Sequence, residues 1–362
     1  MINIIFHCPF VLNYSATSAS GIRPIKMLEA FQDLGFNVDV VSGNSSDRKK
    51  IINNIKKKIN SGTTYDFVYS ESSTMPTALT DQHHLPLRPF LDFDFFDFLK
   101  SKKIKIGLFY RDIYWMFDDY GNNLPWYKKQ LALFFYRLDL KMYNNLLDKL
   151  YLPSLKMGDY VKIYNKNIID NLPPAHSTSN YLVKNNYSEK LNLLYIGGMG
   201  VDYRMHKLFE AVSVLPNVCL TICTRERDWN NVKDEYGLIS KNINIVHKSG
   251  SELEELYDNS HIAILFVEPK DYREFAVPFK LYEYIGRNKP IICTSSTLVG
   301  DFVANNNIGW VLDYDVNELV NLLSNMSKTD FDKKTERVCE LKIHETWESR
   351  AKKVCTDLGV SL

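Results

Sequence analysis

The sequence lacks any apolar run of 18 residues, so we expect no helix that spans a membrane. It also lacks an excess of charge, because 44 Lys and Arg residues stand against 43 Asp and Glu residues and give a formal net charge of +1. A chain so balanced has no overall attraction for nucleic acid. The first apolar run begins at Asn3 and leaves no room for the charged start of a signal peptide. We therefore expect a cytoplasmic protein.

Cysteines are few, and they are scattered without the spacing of a disulfide framework. There are six, and Cys219 and Cys223 flank three residues of a strand-like run without a second Cys or His pair to complete a metal site. We expect core thiols in a reducing compartment and no bound metal. The sequence has neither a phosphate loop ending in Gly-Lys-Ser/Thr nor the nucleophile motif of Ser hydrolases, which disfavours both classes.

What is present is a regular alternation of strand and helix patterns over 362 residues, of which 45% are apolar. This length suits about two domains. The pattern predicts an α/β chain of two doubly wound, Rossmann-like parallel-sheet domains that face a central cleft. We expect a first domain at 1–172, a linker at 173–180, a second domain at 181–340, and a closing helix at 341–362 that crosses back to the first domain.

The predicted elements follow from apolar periodicity and from Gly and Pro positions. Strands are predicted at 3–10, 37–42, 66–70, 104–110, 150–153, 191–196, 218–224, 243–247, 263–267 and 291–294. Helices are predicted at 22–34, 48–59, 126–147, 156–163, 207–215, 252–259 and 279–286, and an interrupted helical region is predicted at 334–358. The segment 80–98, which contains His83 and His84, is predicted to be a surface loop.

A glycine turn, YIGGMG at 195–200, follows a predicted strand and precedes a helix. Gly197 and Gly198 would let backbone N–H groups approach a phosphate, and Arg204 and Lys207 follow closely with positive charge. The alternative is a plain turn that needs glycine for a positive φ. The third glycine of a dinucleotide fingerprint is missing, and the next strand ends in Thr-Arg-Glu at 224–226, so a dehydrogenase is disfavoured.

The segment FAVPFKLYEYIGRNKPII, residues 275–292, carries the sharpest pattern. Pro278 is placed to begin a helix, since proline is tolerated in the first turn. Lys280 and Glu283, three residues apart, then become neighbours on the helix surface. Lysine supplies positive charge for a diphosphate, and a carboxylate accepts hydrogen bonds from ribose hydroxyls. The alternative is a surface ion pair on an amphipathic helix.

These segments, with the loop SASGIR at 18–23, resemble the bacterial glycosyltransferases of the GT-B fold. Such enzymes transfer a sugar from a nucleotide diphosphate to an acceptor, and the resemblance extends over nearly the whole chain. It implies that the second domain holds the nucleotide sugar, of the UDP or GDP type, as a co-substrate. It also implies that no metal and no resident cofactor are needed.

By this resemblance, Glu283 binds the donor ribose, Lys280 lies near the donor phosphates, and Gly197 and Gly198 face the diphosphate. Many relatives carry a second glutamate with seven residues between the two. Here that position is Phe275, and the nearest glutamate, Glu274, is one residue further from Glu283. The sequence therefore does not predict which sugar is transferred or the stereochemistry of the transfer. The remaining expected donor contacts are Arg204, Lys207, Arg225, Glu274, Pro278 and Phe279.

Three residues of the first half are expected near the acceptor or the donor phosphate. Gly21 and Arg23 belong to the loop that resembles the family's loop at that place, and the alternative for Arg23 is a helix-end arginine in solvent. Arg111 ends a predicted strand beside Asp112. We predict Asp112 as the general base that deprotonates the acceptor, if desolvation gives it a suitable pKa. The alternative is that Asp112 caps the following helix.

The helix at 126–147 interleaves aromatic and basic residues, which fits a core face or a membrane interface. We therefore expect a glycosyltransferase that extends an oligosaccharide acceptor, lipid-linked, in the assembly of a bacterial lipopolysaccharide, capsule or exopolysaccharide. Peripheral contact with the inner face of the cytoplasmic membrane belongs to this prediction, and a nucleic-acid partner does not. Two alternatives stay open, a sugar-nucleotide 2-epimerase on a similar fold and a non-catalytic subunit that binds the nucleotide sugar.

Overall fold

The computed structural model describes residues 2–16, 18–163, 165–177, 190–200, 203–270 and 274–362. The chain forms two compact units, Met1–Pro174 together with Trp347–Leu362, and Ala175–Thr346. The last residues of the expected linker, 178–180, lie outside the described residues. Each unit contains one six-stranded sheet whose neighbouring strands are parallel, so the prediction of two parallel sheets is confirmed.

The first unit alternates strands and helices along the chain. Its strands are β1 (Asn3–His7), β2 (Asn37–Val41), β3 (Phe67–Glu71), β4 (Lys105–Phe109), β5 (Lys149–Leu152) and β6 (Ile169–Asn171). They pair in the order β2-β1-β3-β4-β5-β6. Its first four helices are α1 (Ala19–Asp33), α2 (Ser45–Asn60), α3 (Leu91–Ser101) and α4 (Trp126–Leu146).

The strand order places helices on both faces of this sheet. Crossovers between parallel strands are right-handed, so the step from β1 back to β2 puts α1 on one face. The steps from β2 to β3, β4 and β5 run the other way and put α2, α3 and α4 on the opposite face. Contacts of α3 with both α2 and α4 agree with this arrangement. Every residue of β3 is buried, as expected for a central strand covered on both faces.

The second unit repeats this construction. Its strands are β7 (Leu191–Ile196), β8 (Val218–Cys223), β9 (Ile243–Val246), β10 (Ile262–Leu265), β11 (Ile291–Thr294) and β12 (Gly309–Leu312), in the order β12-β11-β10-β7-β8-β9. Its helices are α5 (His206–Ser213), α6 (Glu226–Val232), α7 (Leu253–Asp258), α8 (Phe279–Gly286), α9 (Leu298–Asn306), α10 (Val316–Asn325) and α11 (Lys328–Lys342).

The last helix, α12 (Trp347–Asp357), belongs to the first unit and packs against α1. Trp347 at its start is only 5% exposed. Arg350 donates hydrogen bonds to the carbonyls of Pro173 and Pro174 at 3.1 Å each. These bonds tie α12 to the segment at which the first unit ends.

Several predicted elements were wrong or missing. The helix predicted at 156–163 is only a short 3₁₀ turn at Lys156–Asp159. The second half of the loop predicted at 80–98 is α3, because Phe93, Phe96 and Leu99 repeat at helical spacing and are buried. The helices α6, α9 and α10 and the strands β6 and β12 were not predicted. Of the two cysteines expected in the core, Cys223 is buried and Cys219 is half-buried.

Among the helices that the structure describes, none has the length and apolar character needed to cross a membrane.

Candidate functional site

The glycine turn of the second unit leaves β7 at the carboxyl edge of the sheet. Neither Gly197 nor Gly198 has a positive φ, so a left-handed backbone is not what requires glycine here. A Cβ added to Gly197 would lie 2.6 Å from the hydroxyl oxygen of Tyr195, which itself donates to the Gly198 carbonyl at 2.7 Å. The turn is therefore packed closely, and the Gly197 amide donates to the Cys223 carbonyl at the end of β8.

Helix α8 spans the predicted residues and is fastened to this turn. Its residue Tyr284 is fully buried, and its hydroxyl accepts the amide hydrogen of Ile196, the last residue of β7, at 2.8 Å. Burial raises the pKa of Tyr284, so the phenol stays protonated. The two segments singled out in the second half of the sequence are therefore joined by a direct hydrogen bond.

In the middle of α8, Glu283 has two bonding partners. Lys280 forms an ion pair with its Oε2, and the hydroxyl of Tyr257, on α7, donates to the same oxygen at 3.1 Å. Burial and then the Glu283 charge hold the pKa of Tyr257 well above its usual value, so this hydroxyl remains a donor. Lys280 and Glu283 are each about one quarter exposed, at 26% and 27%. The carboxylate is thus oriented through Oε2 and can present Oε1 to a ligand.

The cationic candidates of this unit have different surroundings. Arg225, 80% exposed, pairs with Asp228, and a Cβ added to Gly198 would lie 3.9 Å from its Nη2, so the structure places Arg225 beside the glycine turn. Arg204 pairs with Glu235 at 3.7 Å. The ammonium of Lys207 instead donates to the Tyr314 carbonyl at 2.7 Å. Lys207 therefore holds the segment after β12 in place in this structure.

The residues around the start of α8 differ in burial. Phe275, at the position where many relatives have glutamate, is 3% exposed, whereas Glu274 beside it is exposed. Among the described residues, no hydrogen bond or ion pair joins Glu274 to Lys280 or Glu283. Pro278 immediately precedes the helix in an extended conformation, and Phe279 is its first residue.

In the first unit, a buried carboxylate lies at the carboxyl edge of the sheet. Glu71, the last residue of β3, is 0% exposed and receives the Tyr69 hydroxyl at 2.6 Å and Arg23 Nε at 3.1 Å, both on Oε1. Arg111 Nη2 lies 3.5 Å from Oε2. Two guanidinium groups therefore share one carboxylate, which leaves an excess of positive charge at this edge.

Arg23 is not the solvent-exposed helix-end arginine of the alternative interpretation. It is 4% exposed, its guanidinium carbon lies 3.4 Å from the centre of the Phe109 ring, and its Nη1 and Nη2 atoms are buried without a hydrogen-bond partner. In this structure Arg23 therefore forms a buried ion pair with Glu71 and is not a surface residue. Gly21, by contrast, permits the tight start of α1, since a Cβ there would lie 2.4 Å from the Ala16 Cβ.

Arg111 forms a hydrogen bond to α1 through the Ser20 carbonyl, which lacks a helical donor because Pro24 follows it by four residues. Pro24 has no N–H to donate to the Ser20 carbonyl four residues before it. Arg111 Nη1 donates to that carbonyl instead. The Nε atom of Arg111 is buried without a hydrogen-bond partner, and burial lowers the pKa of the group. The structure therefore brings Arg111 and the start of α1 together.

Asp112 follows Arg111 in the loop after β4. Its Oδ1 accepts the amide hydrogen of Tyr114, the first residue of the 3₁₀ turn Tyr114–Met116, at 2.8 Å, but the N-cap position of that turn is Ile113. Burial raises its pKa in spite of this bond and of the nearby Arg111 charge. A carboxylate with a raised pKa is a better proton acceptor for a hydroxyl. This hydrogen bond and the predicted role as a base are compatible, because the Tyr114 amide uses only Oδ1.

Histidines and metal ligands add little to the site. His7 is buried, with Nδ1 2.8 Å from Ser70 Oγ and Nε2 2.9 Å from Asp92 Oδ1. His83 accepts the Leu85 amide hydrogen, and His84 donates to the Leu79 carbonyl, both within the loop that contains them. Within the described part of the chain, no group of three His, Cys, Asp or Glu side chains is arranged to hold a metal.

Sequence reasoning missed three residues of these two clusters. Glu71 directly follows a predicted strand, and an acid at such a strand end was a signal that could have found it. Tyr257 and Tyr284 gave no signal, because their roles depend on contacts with Glu283 and Ile196 that are distant in the sequence.

Comparison with known proteins agrees with this geometry. Residues 266–346, which contain α8, match the glucosyltransferase 3-like C-terminal domain family. Among proteins of curated function, none matches this sequence.

Solved structures resemble the chain over its length. HepE of Anabaena, solved with UDP and glucose, is 10% identical, covers 99% of each chain and has a TM-score of 0.60. Sucrose-phosphate synthase of Thermosynechococcus elongatus is 12% identical over 98% of each chain, with a TM-score of 0.57. WaaG, a glycosyltransferase involved in lipopolysaccharide biosynthesis, is 16% identical over 99% of this chain and 100% of its own, with a TM-score of 0.54. The predicted fold and resemblance are confirmed: the chain has the GT-B fold of these glycosyltransferases, and its residues 266–346 are similar to a glucosyltransferase 3-like C-terminal domain.

Proposed function

We propose that the protein transfers a sugar from a nucleotide diphosphate sugar to an oligosaccharide acceptor, lipid-linked, in the assembly of a bacterial surface polysaccharide. The observation that carries the proposal is the cluster of Tyr257, Lys280 and Glu283, tied to the glycine turn through Tyr284. Two similar structures support it, since one was solved with UDP and another is involved in lipopolysaccharide biosynthesis.

The second unit binds the donor in this proposal. Glu283 Oε1 accepts hydrogen bonds from the ribose hydroxyls, while Tyr257 and Lys280 keep Oε2 occupied. The Gly198 amide, together with Arg225, neutralises the diphosphate, while the Gly197 amide stays bonded to the Cys223 carbonyl. The nucleotide sugar, of the UDP or GDP type, is a co-substrate, and the proposal requires no resident cofactor and no metal.

The first unit binds the acceptor. The acceptor hydroxyl oxygen forms a bond to the anomeric carbon of the sugar while the bond from that carbon to the diphosphate oxygen breaks. In an inverting reaction Asp112 accepts the hydroxyl proton, for which its raised pKa is suited. In a retaining reaction the departing diphosphate accepts it. Arg111, held by Glu71 and Ser20, places positive charge beside Asp112.

The proposed acceptor places the protein in the cytoplasm with peripheral contact to the inner face of the membrane. Helix α4 supports this, because Trp126 and Phe134 are 77% and 59% exposed and lie among basic residues. A core face would have buried these rings.

Calorimetric titration with UDP, GDP and UDP-glucose tests the donor assignment. We expect one nucleotide to bind, and Glu283→Gln to weaken that binding at least tenfold without unfolding. The matched control is Glu340→Gln, which removes an ion pair of the same spacing with Arg337 on α11. Equal affinity of both variants would reject the site.

A turnover assay then distinguishes the transferase from the 2-epimerase and from the non-catalytic binding subunit. Nucleotide release that depends on an added acceptor supports transfer. Conversion of the nucleotide sugar alone to its epimer would favour the 2-epimerase, and binding without turnover on any acceptor would favour the non-catalytic subunit.

A further inference from the structure

An acid lies beside the glycine turn of the second unit, closer to the turn than the cation next to it. A Cβ added to Gly198 would lie 3.5 Å from Oδ2 of Asp228 and 3.9 Å from Nη2 of Arg225. Both residues follow β8, with Arg225 directly before α6 and Asp228 as the third residue of that helix. A phosphate bound at the Gly198 amide would therefore meet a carboxylate oxygen as well as a guanidinium group.

The carboxylate of Asp228 forms a close ion pair with Arg225. Nε and Nη2 of Arg225 both lie 2.8 Å from the same oxygen, Oδ2. The two side chains differ in exposure, since that of Arg225 is 80% exposed and that of Asp228 is 16% exposed. Solvent screens the charge of an exposed group more strongly than that of a partly buried one. The negative charge beside the turn is therefore the less screened of the two.

Other cations near the end of β8 are also paired with acids. Burial raises the pKa of the Cys223 thiol, whereas its bond to the Lys248 carbonyl and the charges of Lys280 and Lys248 oppose the shift. The charge of Glu252 acts in the same direction as burial. Lys248 pairs with Glu255 on α7, and Lys280 pairs with the glutamate of the proposed ribose site. The described charges at this strand end therefore leave little net attraction for an additional anionic group.

Transfer of the sugar changes the charge of the nucleotide. A nucleotide diphosphate sugar has one ionised oxygen on each phosphate. When the bond from the anomeric carbon to the diphosphate oxygen breaks, the electron pair stays on that oxygen. The terminal phosphate of the product then has a second ionisable oxygen, whose pKa is about 6. At a pH well above this value, the product therefore carries one more negative charge than the donor.

We propose that Asp228 is a specificity-determining residue that makes the site bind the nucleotide sugar in preference to the nucleotide diphosphate product. Its carboxylate repels the additional charge of the product and so favours product release. Arg225, held by the same carboxylate, attracts the charges that donor and product have in common. The inference rests on the proposed function, because it takes the glycine turn as the place of the diphosphate.

Calorimetric titration at pH 8 with UDP and UDP-glucose, and with GDP and GDP-glucose, tests the assignment. Asp228→Asn keeps an oxygen for Arg225 but removes the charge. We expect the affinity for the product to rise about three- to tenfold more than the affinity for the nucleotide sugar, the scale of a charge pair near a protein surface. At pH 5 the terminal phosphate is mostly protonated, so the ratio of the two dissociation constants should be the same in both proteins.

Two further variants separate the effect of charge from that of structure. Glu340→Gln removes one negative charge from α11 of the same unit and should leave the ratio of dissociation constants unchanged. Arg225→Gln should weaken the binding of both ligands. Asp228→Asn combined with Arg225→Gln should still shift the ratio, because repulsion by the carboxylate does not require the arginine. No shift in this combination would mean that Asp228 only supports Arg225, and it would overturn the proposal.

The other outcomes distinguish the inference from the function on which it rests. If the unaltered protein binds none of these nucleotides, the proposed donor site fails and the inference fails with it. If nucleotides bind and Asp228→Asn changes the affinities for product and nucleotide sugar by the same factor, the inference alone is rejected. A shift of the ratio that persists at pH 5 would also reject it, because the charge of the terminal phosphate would then not be the cause.

Discussion

The hydroxyl of Tyr284 accepts the amide hydrogen of Ile196 at 2.8 Å, and both groups are buried. This bond connects α8, which carries Lys280 and Glu283, to the strand that enters the glycine turn. A phosphate held by the turn and a ribose held by Glu283 would therefore be bound by elements with a fixed separation. The geometry of the proposed donor site depends on a residue that touches neither part of the donor.

Tyr284→Phe should lower both stability and affinity. The variant leaves the buried Ile196 amide without a partner, which costs about 1–3 kcal/mol of unfolding free energy. Nucleotide affinity should fall severalfold as α8 loses its connection to the turn. Urea unfolding and calorimetry measure the two effects.

The matched control is Tyr236→Phe, since the Tyr236 hydroxyl also accepts a backbone amide hydrogen, that of Met205 at 3.1 Å. We expect it to lose stability without a comparable loss of affinity. A Tyr284→Phe protein with full nucleotide affinity would show that the bond does not position the site.

Asp112→Asn should abolish transfer while leaving the donor bound. Asparagine keeps an oxygen for the Tyr114 amide, so the hydrogen bond at the start of the 3₁₀ turn is retained, but it cannot accept the acceptor proton. We expect a 10²- to 10⁴-fold loss of kcat, about the usual contribution of a general base. Asp118→Asn, in the exposed part of the same loop, is the control. Unreduced turnover would remove Asp112 as the base and favour proton transfer to the departing diphosphate.

The elements that sequence predicted well are those with strong local patterns. Helix α8 was predicted to the residue, because Pro278 marks its start and its apolar positions repeat at helical spacing. Strand β11 was also predicted to the residue as a short apolar run. The segment that became α3 was missed, since its alternating Asp and Phe residues hide the helical repeat and neighbouring prolines suggested a loop.

The site residues could be predicted only where the interacting side chains are close together in the sequence. Lys280 and Glu283 are three residues apart, so a local pattern reveals them. Arg23 and Glu71 are 48 residues apart, and only the pairing of β3 between β1 and β4 brings them together. The burial of Arg23 against Phe109 could not be read from its place at a helix start, which had suggested either solvent or a ligand.

The pH dependence of stability should reflect Asp139, the buried acid of α4. Burial, the largest cause, raises its pKa to about 7, although hydrogen bonds from the Thr77 amide and hydroxyl oppose the shift. In the unfolded chain the group titrates near its ordinary value of about 4. Between these two values the folded state binds the proton and the unfolded state does not. Stability contributed by this group is therefore present at low pH and lost as pH rises towards 7.

Asp139→Asn isolates this effect, because asparagine does not titrate and still offers an oxygen to Thr77. From pH 5 to pH 7, the unfolding free energy of the unaltered protein should fall relative to that of the variant by up to about 1.4 kcal/mol per pH unit. Above pH 8 the difference should become constant, since the carboxylate is then ionised in both states. Urea unfolding at each pH gives the comparison. If the difference in unfolding free energy between the two proteins does not change from pH 5 to pH 7, Asp139 is ionised in the folded protein despite its burial. The hydrogen bonds from Thr77 would then be sufficient to stabilise the carboxylate.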